Sequence, residues 1–332
     1  MQFFFDDNYF REEETDGFLV TEAMKRYWAA TLKCVEVFSD ICERHGLKWW
    51  ADLGTLLGAV RHRGFIPWDD DLDVGMLRGD YQKFLKAAET ELPSGYLVDT
   101  YDLPRHKYSG FSVLTNHLGT LFSEEVLNDF CLCPFPAGFD IYVYDNAPAD
   151  EEERQLWRLR GIRYLLPMEL IRKEGLGSVR VSEALREAGY EGSYSEEDRY
   201  PLLKELGEKT DEAAATYQNE STGYVERYTF LIQTNISPWL KSAWIRDTVE
   251  LPFETGVLPV PCGMNEILAG HYGQDFIVPK IIRVGHGYPL YKRDLQAMVR
   301  FLEEGGIRLS DLPPELSYLQ READYRELPY QI

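Results

Sequence analysis

Asp52-Leu-Gly-Thr-Leu-Leu-Gly-Ala-Val-Arg-His-Arg-Gly-Phe-Ile-Pro-Trp-Asp-Asp-Asp-Leu-Asp-Val-Gly-Met76 is the most informative stretch of this chain. Residues 72–76 read as a strand, and side chains alternate across a strand. On that reading Asp69, Asp71 and Asp73 share one face, while Asp70, Leu72 and Val74 share the other. Leu72 and Val74 can then enter a core while the acids face a cleft. Carboxylates crowded on one face repel one another unless a cation sits among them. Their hard oxygens suit Mg2+ or Mn2+, with phosphate oxygens of a substrate completing the octahedron. An exposed acidic loop, with or without calcium, carries the same three acids, so the cluster by itself does not choose.

The flanking residues favour phosphate chemistry. Gly54-Thr55 precedes a short helix expected over residues 55–60, and a small residue there lets backbone N–H groups approach a phosphate. Arg61, His62 and Arg63 lie between that turn and the acids, where they could neutralise phosphate charge, although each is equally compatible with an ordinary surface position. A further carboxylate, Asp140, sits in the strand-like run Phe139-Asp-Ile-Tyr-Val143. A lone strand acid is commonly an edge or cap residue; brought beside the first cluster, it would complete a metal site.

Outward from this core the chain alternates helices and strands. Residues 21–45 carry apolar side chains at helical spacing (Met24, Tyr27, Trp28, Val35, Phe38, Ile41, Cys42), and Gly46 is placed to end the helix. Strands are predicted at 47–51, 96–100, 111–115 and 139–144, and a helix at 80–92. Residues 151–174 read as a helix that Gly161 or Pro167 could break. A hairpin is expected over 248–260 and a late helix over 264–272. The pattern predicts an α+β fold, with a mixed sheet flanked by helices. The expected organisation is a catalytic core with its N-terminal helix over 1–149, a helical insertion or lobe over 150–240 that carries no catalytic pattern, and a C-terminal part over 241–332 completing the core.

The 332 residues carry a net charge of −21, which repels nucleic-acid backbones and anionic lipid headgroups. Neither is an expected partner, and an anionic nucleotide would need divalent cations to bridge it to the protein. No apolar run reaches bilayer-spanning length, and the opening Met-Gln-Phe-Phe-Phe-Asp-Asp lacks the basic and long apolar stretches of a secretory leader. No integral membrane segment and a cytoplasmic location are expected. The five cysteines (Cys34, Cys42, Cys131, Cys133, Cys262) include one Cys-x-Cys pair and no second pair at zinc spacing, which predicts reduced, partly buried thiols.

Gly54-Thr-Leu-Leu-Gly-Ala-Val-Arg-His62, Gly64-Phe-Ile-Pro-Trp-Asp-Asp-Asp-Leu-Asp73 and Asp80-Tyr81 together resemble the signature of the LicD family, which includes relatives of fukutin and belongs to the nucleotidyltransferase-fold superfamily. The resemblance continues at Phe139-Asp-Ile141, over residues 252–261, and at Tyr272-Gly273 and Pro279, while 150–240 match nothing recognisable. It implies a nucleotidyltransferase-like core with Asp71, Asp73 and Asp140 as metal ligands and Gly54 and Thr55 as the phosphate turn. It also implies transfer of a phospho-substituent, of phosphocholine or phospho-alditol type, from a CDP-linked donor to a hydroxyl of a glycan or glycolipid. Leu77, Gly79 and Tyr144 depart from the family pattern, which bears on donor and acceptor choice rather than on metal ligation.

Within that scheme Asp71, Asp73 and Asp140 hold Mg2+ or Mn2+, Asp69 and Asp140 are both candidates to accept the hydroxyl proton, and Arg61 and His62 contact the diphosphate. Trp68 and Tyr81 are candidate walls for a quaternary ammonium. Acceptor selection is expected from segments outside the motif, chiefly 150–240. A nucleotidyltransferase using a nucleoside triphosphate needs the same acids, and a non-catalytic metal-binding scaffold is the reading from outside enzymology.

Overall fold

The computed structural model describes residues 1–100, 111–227, 239–281, 298–300 and 302–325. Its centre is a mixed sheet in the order β3 (Trp50–Ala51), β4 (Asp73–Leu77), β7 (Gly138–Asn146), β6 (Ser112–Thr115), β5 (Leu97–Asp99). The fold is α+β, as the alternation of elements predicts. β4 and β7 run parallel, which requires a long crossover, and residues 78–137 supply it with α3 (Arg78–Glu91), β5, β6 and α4 (Glu124–Asp129). The other pairings along that order are antiparallel.

β7 is the longest of the described strands, and its two faces do different work. Phe139, Ile141 and Val143 are buried against the apolar core, joined by Val74 and Met76 of β4. Asp140, Tyr142 and Tyr144 alternate onto the other face. α1 (Glu22–His45) covers the core side. Thr21 caps its start by accepting from the Met24 N–H, and Gly46 ends it in the left-handed region at φ 62°. Phe38 of α1 stands edge-on to Trp49, Phe84 and Phe139, tying helix to sheet.

α5 (Glu151–Glu174) is continuous through Gly161 and Pro167. A proline removes one helical hydrogen bond. Here Gly161 and Pro167 are buried, and α5 packs on α6 (Val179–Ala188) and α7 (Arg199–Ala214) around a cluster of its own that includes Leu165, Ile171, Val181 and Leu206. Arg78 ties this group to the core through ion pairs with Asp145 of β7 and Asp211 of α7. Residues 150–240 are not helical throughout. After α7 the chain returns to the sheet as β8 (Tyr224–Glu226), which pairs with the end of β7 and with β9 (Leu240–Lys241), while 228–238 lie outside the described residues. The return carries Arg227 into the core.

Two hairpins that close around the motif complete the described chain. β1 (Glu13–Thr15) and β2 (Phe18–Val20), absent from the sequence reading, pair antiparallel. β10 (Thr248–Phe253) and β11 (Gly256–Pro261) form the expected hairpin. At its turn Glu254 accepts from the Phe65 N–H at 2.8 Å, so the hairpin holds the loop before the acids. Helix α8 (Ser242–Ile245) precedes it, α9 (Met264–Tyr272) follows, and α10 (Ser317–Tyr325) packs on α1, where Tyr318 Oη donates to the Leu132 carbonyl. Among the described residues no helix is long and apolar enough to cross a membrane, and all five cysteines are free.

Candidate active site

Asp73 opens β4, and its register partner across the parallel pair is Asp140 of β7. Two residues 67 apart in sequence therefore present carboxylates from adjacent positions on one face of the sheet. Asp69 and Asp71 approach from the irregular segment before β4 and line the same cavity as Asp73, whereas Asp70 is buried and does not line it. The predicted division of these acids is present, but strand alternation is not its cause: β4 starts only at Asp73, and residues 69–72 are not extended strand. The loop also draws Asp70 inward, so that oxygens of Asp69, Asp70 and Asp71 lie within 4.8 Å of one another.

Burial, then the charges of Asp71, Asp140, Asp69 and Asp52, push the Asp73 carboxyl well above its ordinary range. Such a cluster of hard oxygen donors, gathered round a carboxyl that resists ionisation, has the composition that accommodates a divalent cation.

Asp73 is held by its backbone. Its N–H donates to Thr55 Oγ at 2.7 Å, and its carbonyl accepts from the Asp52 N–H at 3.0 Å. Thr55 is thus buried beneath the acids, with its oxygen committed to the strand. Gly54 borders the cluster directly: a Cβ there would lie 2.8 Å from Asp69 Oδ2 and 3.9 Å from Asp73 Oδ2. Leu53, at φ 44°, occupies the left-handed region that a branched side chain disfavours, so the turn into α2 (Leu53–Arg61) is strained next to the acids.

The turn is pinned from below by residues the sequence reading did not select. Asp52 caps α2, accepting from the Leu53 N–H, and its other oxygen accepts from Tyr144 Oη at 2.8 Å and faces Arg227 Nη1 at 3.5 Å. Arg227 Nη2 donates to His271 Nε2 at 2.6 Å, and the guanidinium lies over the Tyr142 and Tyr144 rings. Burial and the adjacent Arg227 lower the His271 pKa to about 4, so the ring is neutral and free to accept. Tyr144, a departure from the family pattern, is what reaches Asp52. Asp52 was legible as a cap before the Leu53-Gly54 turn; nothing local marks Arg227.

Arg61 lines the cavity, donates to the Phe276 carbonyl at 3.2 Å and lies 5.8 Å from the Trp68 ring centroid. His62 does not line it: its Nε2 pairs with Asp16 Oδ2 at 3.2 Å on the β1–β2 hairpin, and burial followed by Arg61 lowers its pKa. Trp68 lines the cavity with Tyr142, Tyr272 and Phe276. Tyr81 does not stand with Trp68. It is buried on α3 with Oη 2.5 Å from Ser112 Oγ, because α3 turns that face toward the sheet. The cavity, of about 400 Å3, also has Asp275 and Lys280 on its wall.

Residues 46–135 match the family model described as LicD/FKTN/FKRP, nucleotidyltransferase domain. The chain is 34% identical over 118 residues to the lipopolysaccharide cholinephosphotransferase LicD of Haemophilus influenzae, covering 35% of this chain and 42% of that protein. It is 28% identical over 148 residues to an uncharacterized protein of Rickettsia typhi, covering 42% and 43% respectively. A shorter segment of 40 residues is 45% identical to the human ribitol 5-phosphate transferase FKRP, covering 12% of this chain and 8% of that one. The chain thus spans less than half the length of these curated relatives. Asp71 and Asp73 fall inside the matched segment, and Asp140 joins them only through strand register. By their Gly-Thr turn and Asp-x-Asp segment, residues 46–135 of this chain are similar to the LicD/FKTN/FKRP nucleotidyltransferase domain.

Proposed function

We propose that the chain is a metal-dependent phosphotransferase that moves a phospho-substituent from a CDP-linked donor to a hydroxyl of a glycan. The observation that carries this reading is the facing register of Asp73 and Asp140, with Asp69 and Asp71 lining the same cavity as Asp73. The names of the relatives, one a cholinephosphotransferase and one a ribitol 5-phosphate transferase, support the class of reaction.

Asp71, Asp73 and Asp140 would hold Mg2+ or Mn2+, which when bound neutralises the charge developing on the phosphate oxygens. The chain's own groups do the rest. Arg61 supplies fixed positive charge toward a donor diphosphate in the cavity, and Lys280, paired with Asp275, stands on the same wall. Trp68, Tyr272 and Phe276 offer aromatic faces to a base or a quaternary ammonium. Gly54 keeps the space beside Asp69 and Asp73 open for phosphate oxygens. In the reaction the acceptor oxygen forms a bond to the outer phosphorus, and the bond from that phosphorus to the bridging oxygen breaks. CMP leaves with the electron pair, and the hydroxyl proton passes to a carboxylate of the cluster and then to solvent.

The test is release of CMP from CDP-choline and CDP-ribitol, with Mg2+ and after exhaustive chelation. CMP release that needs the metal and drops at least a hundredfold in Asp71→Asn supports the reading. Pyrophosphate release from a nucleoside triphosphate, with no CMP from either donor, would establish the nucleotidyltransferase alternative instead.

A further inference from the structure

A second cavity, of about 340 Å3, adjoins the first across the acid cluster. Asp71 lines both; Asp69 and Asp73 line the first cavity, and Asp140 lines the second. The carboxylates therefore form a wall between two spaces rather than the floor of one. In-line displacement at phosphorus suits this arrangement, since the nucleophile enters on the side opposite the departing group.

The far chamber is built between α1 and the β6–β7 pair, and its polar groups point to a ligand. His117 keeps 7% of its surface exposed, and its ring nitrogens meet no side-chain partner, only the Gly119 backbone. A buried imidazole left in that state is costly unless something else fills the role. Burial lowers its pKa, with the hydrogen bond to the Gly119 backbone opposing, so the ring is neutral and keeps a nitrogen for a ligand. Asp99 adds a carboxylate on the same wall, and Tyr27 and Phe111 supply aromatic surface. An imidazole with a nitrogen to spare, the carboxylates of Asp71, Asp99 and Asp140 and flat apolar faces are the complement of a polyol, whose hydroxyls both donate and accept and whose C–H faces pack on rings. A phosphate or nucleotide fits less well, because among the described residues no Lys or Arg lines the chamber.

We infer that this second cavity is the acceptor site and binds a sugar or sugar alcohol, with His117 and Asp99 reading its hydroxyls. The inference rests on the phosphotransferase reading for the purpose of the bound sugar, and it moves acceptor binding away from 150–240, whose described residues contribute nothing to this wall.

The experiment is saturation-transfer NMR on the full chain without donor, using as probes the methyl glycosides of glucose, galactose and N-acetylglucosamine together with ribitol. At least one probe should receive saturation from the wild type. Its signal should fall at least fivefold in His117→Gln and in Leu118→Trp, where an indole replaces a side chain that is 64% exposed at the cavity's rim. Leu118 lies at the surface, so that variant folds even if the His117 change does not. With CDP-choline and Mg2+, the ratio of glycosyl product to hydrolysed donor should fall by the same factor. No signal from any probe on the wild type, or an unchanged signal in both folded variants, overturns the assignment. Loss of the sugar signal in the variants with no CMP release by the wild type would leave the sugar site standing and refute the phosphotransfer reading instead.

Discussion

Asp73→Asn should raise the stability of the metal-free protein while removing its activity. Strands in a sheet lie about 4.8 Å apart, so carboxylates at facing register positions are about 5 Å apart. Two charges at that distance repel by roughly 3 kcal/mol at an effective dielectric constant of about 20. Attraction to Arg227 offsets part of this, and Asp71 and Asp69 add to it. A ceiling follows from titration: keeping the carboxyl neutral at pH 7, against an ordinary value of 3.8, costs about 4 kcal/mol. The expected gain for the asparagine variant is therefore about 2 kcal/mol, or several degrees in thermal midpoint.

The sign with pH is fixed by the raised folded-state value. Such a carboxyl costs nothing below its unfolded pKa, and the cost grows as pH rises toward the folded one, so the variant's advantage should be absent near pH 4 and should grow as pH rises. The assay is urea unfolding at pH 4.5 and pH 8 in chelator, repeated with Mg2+. Added Mg2+ should stabilise the wild type more than the variant. An asparagine variant that is less stable than the wild type in chelator at both pH values, or that gains as much from Mg2+, would refute the reading of these acids as a crowded cation site.

Thr55→Val should lower CMP release at least tenfold and cost about 1 kcal/mol, since it leaves the buried Asp73 N–H without its acceptor; circular dichroism and kinetics on the same preparation check both. Tyr144→Phe removes the donor to Asp52 and should cost about 1 kcal/mol in urea unfolding, with a smaller loss of activity than Asp71→Asn. His271 has its pKa lowered to about 4 against an ordinary 6.5, so it should contribute stability above pH 6.5 that is lost as pH falls toward 4, up to about 3 kcal/mol. His271→Gln should flatten that part of the stability profile, measured as the difference from wild type. Gly54→Ala should fold normally yet lose at least tenfold in activity, because the new methyl displaces the Asp69 carboxylate; near-normal turnover would show that Asp69 has no role at the donor.

Local pattern determined a good deal of this protein. The apolar spacing of residues 21–45 sufficed for α1, the late helix came out at Met264–Tyr272, and the α+β class follows from the order of elements. The adjacency of the Gly54-Thr55 turn to the Asp71-x-Asp73 segment was also visible, because both lie within one short stretch of chain. Pro167 misleads a local reading since it speaks only of one missing helical hydrogen bond, whereas packing against α6 and α7 keeps α5 intact. What only the tertiary structure decided is which distant residues meet. Asp140 faces Asp73 through strand register, Arg227 reaches Asp52 across 175 residues of chain, and His62 turns away to Asp16. The acids stand as a wall between two cavities because sheet pairing and loop closure act between segments whose separation leaves no periodicity to read. A sequence can carry the right acids in order; their facing positions, and the space on either side of them, exist only once β4 and β7 are side by side.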